Sequence, residues 1–166
     1  ADVIIGDNFY IFNPEIRESF FNKTEKSLEK SIIIVDEGHN LPTRVRDLLT
    51  HRLSSYMLNR AVKEAEKFGF SDTISQLDHI RKIIQKLSKL IEEKQTERIV
   101  AKKEFTKEFD DYDRMIRDFG FVAEDIRKNQ KISIIGSVAG FLSAWHGEDI
   151  GFARILSRDD DYFSLN

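Results

Sequence analysis

The apolar positions of this chain fall into three successive patterns. Near the start are two short runs rich in β-branched residues, Val3-Ile4-Ile5 between Asp2 and Gly6, and Ile32-Ile33-Ile34-Val35. Runs of this length read as buried strands of a parallel sheet rather than helices. Pro14 interrupts the chain between them, and residues 15–21 fit a short helix ending near Asn22. Two such strands joined by a helix-length connection predict a βαβ unit.

Beyond Asn40 the period becomes helical. Pro42 suits a first helical turn, with Asn40 or Leu41 just before it. Ser54 or Ser55 can cap a helix running through Lys67, with Gly69 closing it. Ser71 or Asp72 can cap the longest helix, whose Ile74, Leu77, Ile80, Ile84, Leu87 and Ile91 form a narrow stripe suited to a neighbouring helix. A helix over 106–119 is expected to end at Gly120, followed by a short one over 121–128 and a last one over 134–145 closed by Gly147.

The third pattern returns to alternation. Residues 152–157 and 162–165 flank Arg158-Asp159-Asp160-Asp161 as a β-hairpin would. A chain that begins and ends in sheet with helices between is organised like a helical insertion. The expected fold class is therefore α+β and mostly helical. Residues 1–50 form a slice of an α/β domain, 51–147 the helical insertion, and 148–166 a hairpin returning to the first domain. The chain ends within the strand-like YFSLN, as an excised fragment would.

Composition narrows the chemistry. At 166 residues, 40% hydrophobic and 33% charged, with 13 Phe, the chain is globular rather than disordered. Without cysteine it has no disulfide, thiolate nucleophile or iron–sulfur ligand. Its histidines, 39, 51, 79 and 146, never take the i, i+4 spacing of a helical zinc site. No apolar run approaches the roughly 18 to 20 residues of a membrane helix. Ala1-Asp2 does not open a signal peptide, so a cytoplasmic protein with no membrane partner is expected.

Charge is unevenly placed. Residues 81–107 carry nine basic residues against four acidic ones, whereas 108–125 carry two basic against seven acidic. A basic face can track a phosphate backbone; the alternative is a pair of complementary solvated faces. Arg98, Lys102 and Lys103 are the candidate nucleic-acid contacts. Phe105 and Phe109 keep helical spacing and read as core rather than as stacking platforms.

The candidate chemistry lies at Asp36-Glu37-Gly38-His39, directly after the second apolar run. In nucleotide hydrolysis one carboxylate holds Mg²⁺ through water and a second orients or deprotonates the attacking water. Adjacent residues at a strand end point in different directions, so Asp36 and Glu37 can divide these tasks, with His39 relaying the state of the site. The other reading is that Asp36 and Asn40 cap a turn and the following helix. No G-x-x-x-x-G-K-[ST] phosphate loop occurs, and Gly136-Ser137-Val138-Ala139-Gly140 lacks its lysine. The chain holds half of an ATPase site.

These residues also carry a family resemblance. IIIVDEGHNL resembles Walker B, or motif II, of superfamily 2 helicases of the XPD (xeroderma pigmentosum group D) group, whose pattern is VFDEAHN-like. ADVIIGDNFYIFNPEI is similar to the segment preceding it in that group, with Tyr10, Asn13, Pro14 and Ile16 in register, and GFLSAWHGEDIGFARILSR to the end of its helical insertion. The resemblance, archaeal in type, covers both ends of the chain and the middle by architecture alone. Gly38 stands where the family has alanine.

The resemblance implies a slice of a RecA-like motor domain with a helical Arch insertion, from an ATP-dependent 5′→3′ DNA helicase of nucleotide excision repair. Asp36 would be the Mg²⁺-associated carboxylate, Glu37 the catalytic base and His39 the coupling residue. ATP, Mg²⁺ and a [4Fe–4S] cluster would serve the parent enzyme, with the cluster ligands outside this chain. Single-stranded DNA, the remaining helicase domains and repair-complex proteins would be its partners, in the cytoplasm of a prokaryote or archaeon or the nucleus of a eukaryote. Alone, the fragment would lack ATPase and helicase activity, and residues 2–5 and 32–35 would be exposed, poorly ordered or buried by self-association. Two readings compete with it: a stand-alone helical interaction module whose 74–91 stripe faces a partner, and a metal nuclease using Asp36 and Glu37.

Overall fold

The computed structural model describes residues 3–159 and 162–165. The chain divides into two compact units, Ala1–Thr50 and His51–Asn166.

In the first unit, α1 (Phe9–Phe12) leads into α2 (Pro14–Thr24), and α3 (Leu41–Leu49) follows a 3₁₀ turn at Gly38–Asn40. Pro14 begins α2 because its missing N–H is no loss at a first helical position. The Asn13 side chain caps that helix by accepting from Ile16 N at 3.1 Å. Tyr10, Phe20 and Phe21 form a small aromatic cluster, with ring centroids 5.3 and 5.4 Å apart. No described residue of this unit is fully buried.

The two expected strands are not formed. Residues 3–7 and 31–35 carry no ladder, and no βαβ unit or parallel pairing occurs among the described residues. Ile32 and Ile34 are 92% and 90% exposed, Ile33 and Val35 40% each. The physical reason is pairing: a strand is completed by the N–H and C=O groups of a neighbour, and no described segment supplies one here.

The second unit holds the core. After β1 (Leu53–Ser54) come α4 (Ser55–Phe68), α5 (Ser71–Ser88), β2 (Glu97–Ile99), α6 (Lys102–Thr106), α7 (Tyr112–Arg127) and α8 (Ile134–His146). The strands β3 (Ile155–Asp159) and β4 (Tyr162–Leu165) end the chain as the expected hairpin. All pairing is antiparallel, in the order β1-β4-β3-β2, with Leu53 opposite Leu165, Ser157 opposite Ser164 and Ile99 opposite Ile155. The hairpin thus belongs to the same compact unit as the helices. The whole is mostly helical with a small sheet.

Local signals explain the helix bounds. Ser54 Oγ accepts from Met57 N at 3.1 Å, and Gly69 closes α4 at φ +79, with Phe70 N reaching Ala65 O and Gly69 N reaching Glu66 O. The α5 stripe is buried at Leu77, Ile80, Ile84 and Leu87, joined by Ile83. It packs within this chain, against α4, instead of waiting for a partner. Ser71 and Asp72 do not cap α5, since the preceding position is Phe70 and makes no side-chain bond.

The largest difference from expectation lies at residues 106–128. Asp111 starts α7 by accepting from Arg114 N at 2.8 Å, and the helix runs through Gly120 to Arg127. Glycine costs about 1 kcal/mol in a helix, but it ends one only where a left-handed residue is needed, and Phe119, Ala123 and Ile126 carry the buried stripe past it. Its neighbour α8 approaches closely because Gly136 faces Ala123: a Cβ added at Gly136 would lie 3.2 Å from the Ala123 Cβ and 2.6 Å from the Arg127 Nη2.

Candidate functional site

The Asp36–His39 segment is an exposed, self-bonded turn. Asp36 Oδ1 accepts the Glu37 N–H at 2.9 Å, and Glu37 takes the left-handed region at φ +51. That conformation is uncommon for a side chain of this kind and is often found at functional turns. It places Glu37 Oε2 3.2 Å from His39 Nδ1, both side chains being mostly solvated. A Cβ at Gly38 would meet nothing within 4 Å, so an alanine would fit there. Asn40 makes no side-chain cap on α3.

Mg²⁺ demands hard oxygen ligands and in nucleotide sites takes one or two carboxylates beside the phosphates. The Asp36 carboxylate has the right chemistry, and its Oδ1 bond to the Glu37 N–H leaves Oδ2 open. No group of three or more acidic or histidine side chains able to hold a metal occurs among the described residues. By itself the Asp36 carboxylate can supply one oxygen ligand. Two shallow depressions lie elsewhere, one bordered by Asp113, Arg117 and His146, the other by Tyr10, Phe20 and Lys23.

The three basic candidates are brought together by the β2–α6 connection, but in different states. Arg98 on β2 pairs with Glu104 of α6 at 2.7 Å. Glu104 also accepts the Ala101 N–H at 2.9 Å, and these two contacts, the backbone bond first, hold its carboxyl below the ordinary 4.5. Lys102 Nζ lies 3.4 Å from Asp149, only 25% of its side chain being exposed. Lys103 is exposed and has no ion pair among the described residues. Arg98 and Lys102 can reach a phosphate only by exchanging a carboxylate for it.

Phe105 is core, as its spacing indicates: fully buried, with ring contacts to Phe109, Tyr112 and Trp145 at 5.2, 6.2 and 5.5 Å. Tyr112 donates to Leu142 O at 3.0 Å, and burial pushes its phenol above the ordinary 10.0. The two oppositely charged segments meet at Lys86 and Glu108, 2.9 Å apart. That pair lowers the Glu108 carboxyl. Two buried charged residues escape a reading by motif. Glu64 accepts from Gln130 Nε2, Ser133 Oγ and Ile135 N at 2.6, 3.0 and 2.9 Å. Arg154 donates to Trp145 O, Gly147 O and Asp149, and stands over the Trp145 ring. Both serve the fold, and only the partners that folding brings to them reveal them.

A second basic surface lies on α4, at Arg60, Lys63 and Lys67. A linear charge count conceals it, because Glu64 and Glu66 sit between these cations. A helical projection would have found it.

Comparison with known proteins bears on part of the chain. Residues 1–58 match the family model DEAD_2. Over 79 residues the chain is 32% identical to the Fanconi anemia group J protein homolog of Gallus gallus, a stretch covering 48% of this chain and 6% of that protein. The chain thus spans a small part of that relative's length. The Asp36–His39 turn falls inside the family match. The likeness is a partial homology to a helicase-related family.

Proposed function

We propose that this chain is part of an ATP-dependent 5′→3′ DNA helicase of the XPD group, contributing motif II and the helical Arch insertion. The observation that carries this reading is the family match over residues 1–58, which contains an acidic pair at the end of an apolar run. Asp36 is the carboxylate toward a water-bound Mg²⁺, an ion that supplies charge neutralisation on the nucleotide's phosphates when bound. Glu37 orients and deprotonates the attacking water, and His39, in contact with Glu37 at 3.2 Å, reports the state of that carboxylate to the rest of the motor. The phosphate loop and the [4Fe–4S] ligands belong to the parent outside these residues, so the chain alone hydrolyses no ATP.

The helical unit then stands beside the path of single-stranded DNA, with Lys103 open for a backbone contact and Arg98 and Lys102 engaged with carboxylates. Excision repair is the setting, with repair-complex proteins and the other helicase domains as partners. The location is cytoplasmic in a prokaryote or archaeon and nuclear in a eukaryote.

The test uses the full-length parent with Glu37→Gln. DNA-stimulated ATP hydrolysis should fall by about 10² to 10⁴-fold, the usual contribution of a general base, while nucleotide binding is retained. Hydrolysis at the unsubstituted rate would overturn the assignment.

A further inference from the structure

The exposed face of α4 carries three cations and an aromatic ring. Tyr56, Arg60, Lys63 and Lys67 are all exposed. At 3.6 residues per turn they fall within roughly 60° of arc and span about 16 Å of helix. Among the described residues no carboxylate pairs with any of the three cations. Instead Arg60 stands over the Tyr56 ring at 5.7 Å, and Lys67 over the Phe68 ring at 4.9 Å. Of the two acids on this helix, Glu64 lies on the buried side and is engaged by Gln130, Ser133 and Ile135 N. Glu66 lies at the border of the stripe, about 80° from Tyr56 around the helix.

This contrasts with the 81–107 run, where Arg81, Lys86, Arg98 and Lys102 are held by Asp78, Glu108, Glu104 and Asp149. The same run leaves Lys82, Lys89, Lys94 and Lys103 exposed and without an ion pair among the described residues, so its neutralisation is partial. The α4 stripe offers its cations to solvent, with an aromatic ring, 56% exposed, at its first turn.

We infer that the α4 face formed by Tyr56, Arg60, Lys63 and Lys67 is a single-strand nucleic-acid contact, the cations tracking consecutive phosphates and Tyr56 stacking on a base. Charge complementarity names a polyanion. The aromatic ring selects a strand with unpaired bases. An acidic peptide is a poorer match, because acidic motifs are read by clustered arginines, whereas this face has one arginine, two lysines and an exposed tyrosine, with Asn59 and Glu66 as its other exposed positions. The choice of DNA rests on the helicase reading above; the placement of the contact rests on the α4 geometry.

The experiment is fluorescence anisotropy of a labelled oligothymidine titrated with the 166-residue chain across a salt series. One variant combines Arg60→Gln, Lys63→Gln and Lys67→Gln. A charge-matched control combines Lys82→Gln, Lys89→Gln and Lys94→Gln, three further exposed cations. Circular dichroism verifies that both fold. The α4 variant should bind at least about tenfold more weakly at low salt, with the slope of log K against log salt shallower by about 2, from roughly 0.7 per phosphate contact. Tyr56→Ala should weaken binding roughly fivefold or more, as loss of one stacked base does, with the slope unchanged.

Absence of binding at low salt would overturn the inference. So would an equal loss in the control, which would mean diffuse charge. Polyglutamate competing as well as unlabelled oligothymidine would overturn it in favour of an acidic protein partner. None of these outcomes alters ATP hydrolysis by the parent carrying Glu37→Gln, so the two readings fail separately.

Discussion

Glu64 shows how one residue can organise an element far from it in sequence. Its carboxylate, almost fully buried, lies at the start of α8, where Ile135 N and Ser133 Oγ donate to one oxygen and Gln130 Nε2 to the other. Ser133 also caps the same helix through Gly136 N at 3.1 Å. A helix start carries unpaired N–H groups and favours negative charge. Hydrogen bonds to a charged group contribute more than neutral ones, and orphaning buried donors costs about 1–3 kcal/mol. Glu64→Ala should therefore destabilise the chain by about 2–4 kcal/mol in urea unfolding. Glu64→Gln should cost less, because its amide oxygen keeps the contact to Ser133 and Ile135, and turning the Gln130 amide to meet the new donor forfeits only its bond to Ile132 O at 2.8 Å. Equal losses for the two variants would mean that the volume of the side chain, and not its acceptors, matters here.

At the scale of elements, most helices and the closing hairpin were legible, and the fate of the two apolar runs near the start was not. Ser54, Gly69 and the α5 stripe act through the local chain, so their signals survive in sequence. Gly120 misled for a related reason: the residue permits a helix end, while tertiary contacts of Phe119 and Ala123 decide that α7 continues. Ile32 to Val35 have the composition of a central strand, yet a ladder needs a partner that composition does not provide. A turn at Asp36–His39 was legible, but the left-handed backbone of Glu37 within it was not. Likewise the ion pairs of Arg98 and Lys102 depend on residues brought close by folding. Hydrogen exchange separates these cases. Amides of Leu77 to Leu87 on α5 should exchange slowest, near the global opening rate, and those of Ile32 to Val35 close to the unprotected rate. Comparable protection in both segments would show a paired sheet that the present fold lacks.

At the scale of the molecule, apolar burial is confined to one unit. The buried cluster, from Leu53 through Phe105, Phe119 and Phe141 to Leu156, lies wholly within residues 51–166. The first unit contributes no fully buried described residue and leaves Val3, Ile5, Ile32 and Ile34 largely in solvent. Apolar burial is the main favourable term of folding, at about 25 cal/mol per Å², so stability should reside almost entirely in the second unit. A chain beginning at His51 should unfold cooperatively, with a thermal midpoint within a few degrees of the 166-residue chain. A chain of residues 1–50 should show no cooperative transition. If residues 51–166 alone melted far lower, the first unit would contribute to that core in solution. If residues 1–50 melted cooperatively, their apolar segments would have found cover by self-association. That cover would hide the exposed apolar segments that otherwise make such a chain prone to aggregate, and sedimentation at increasing concentration would reveal it as a growing mass.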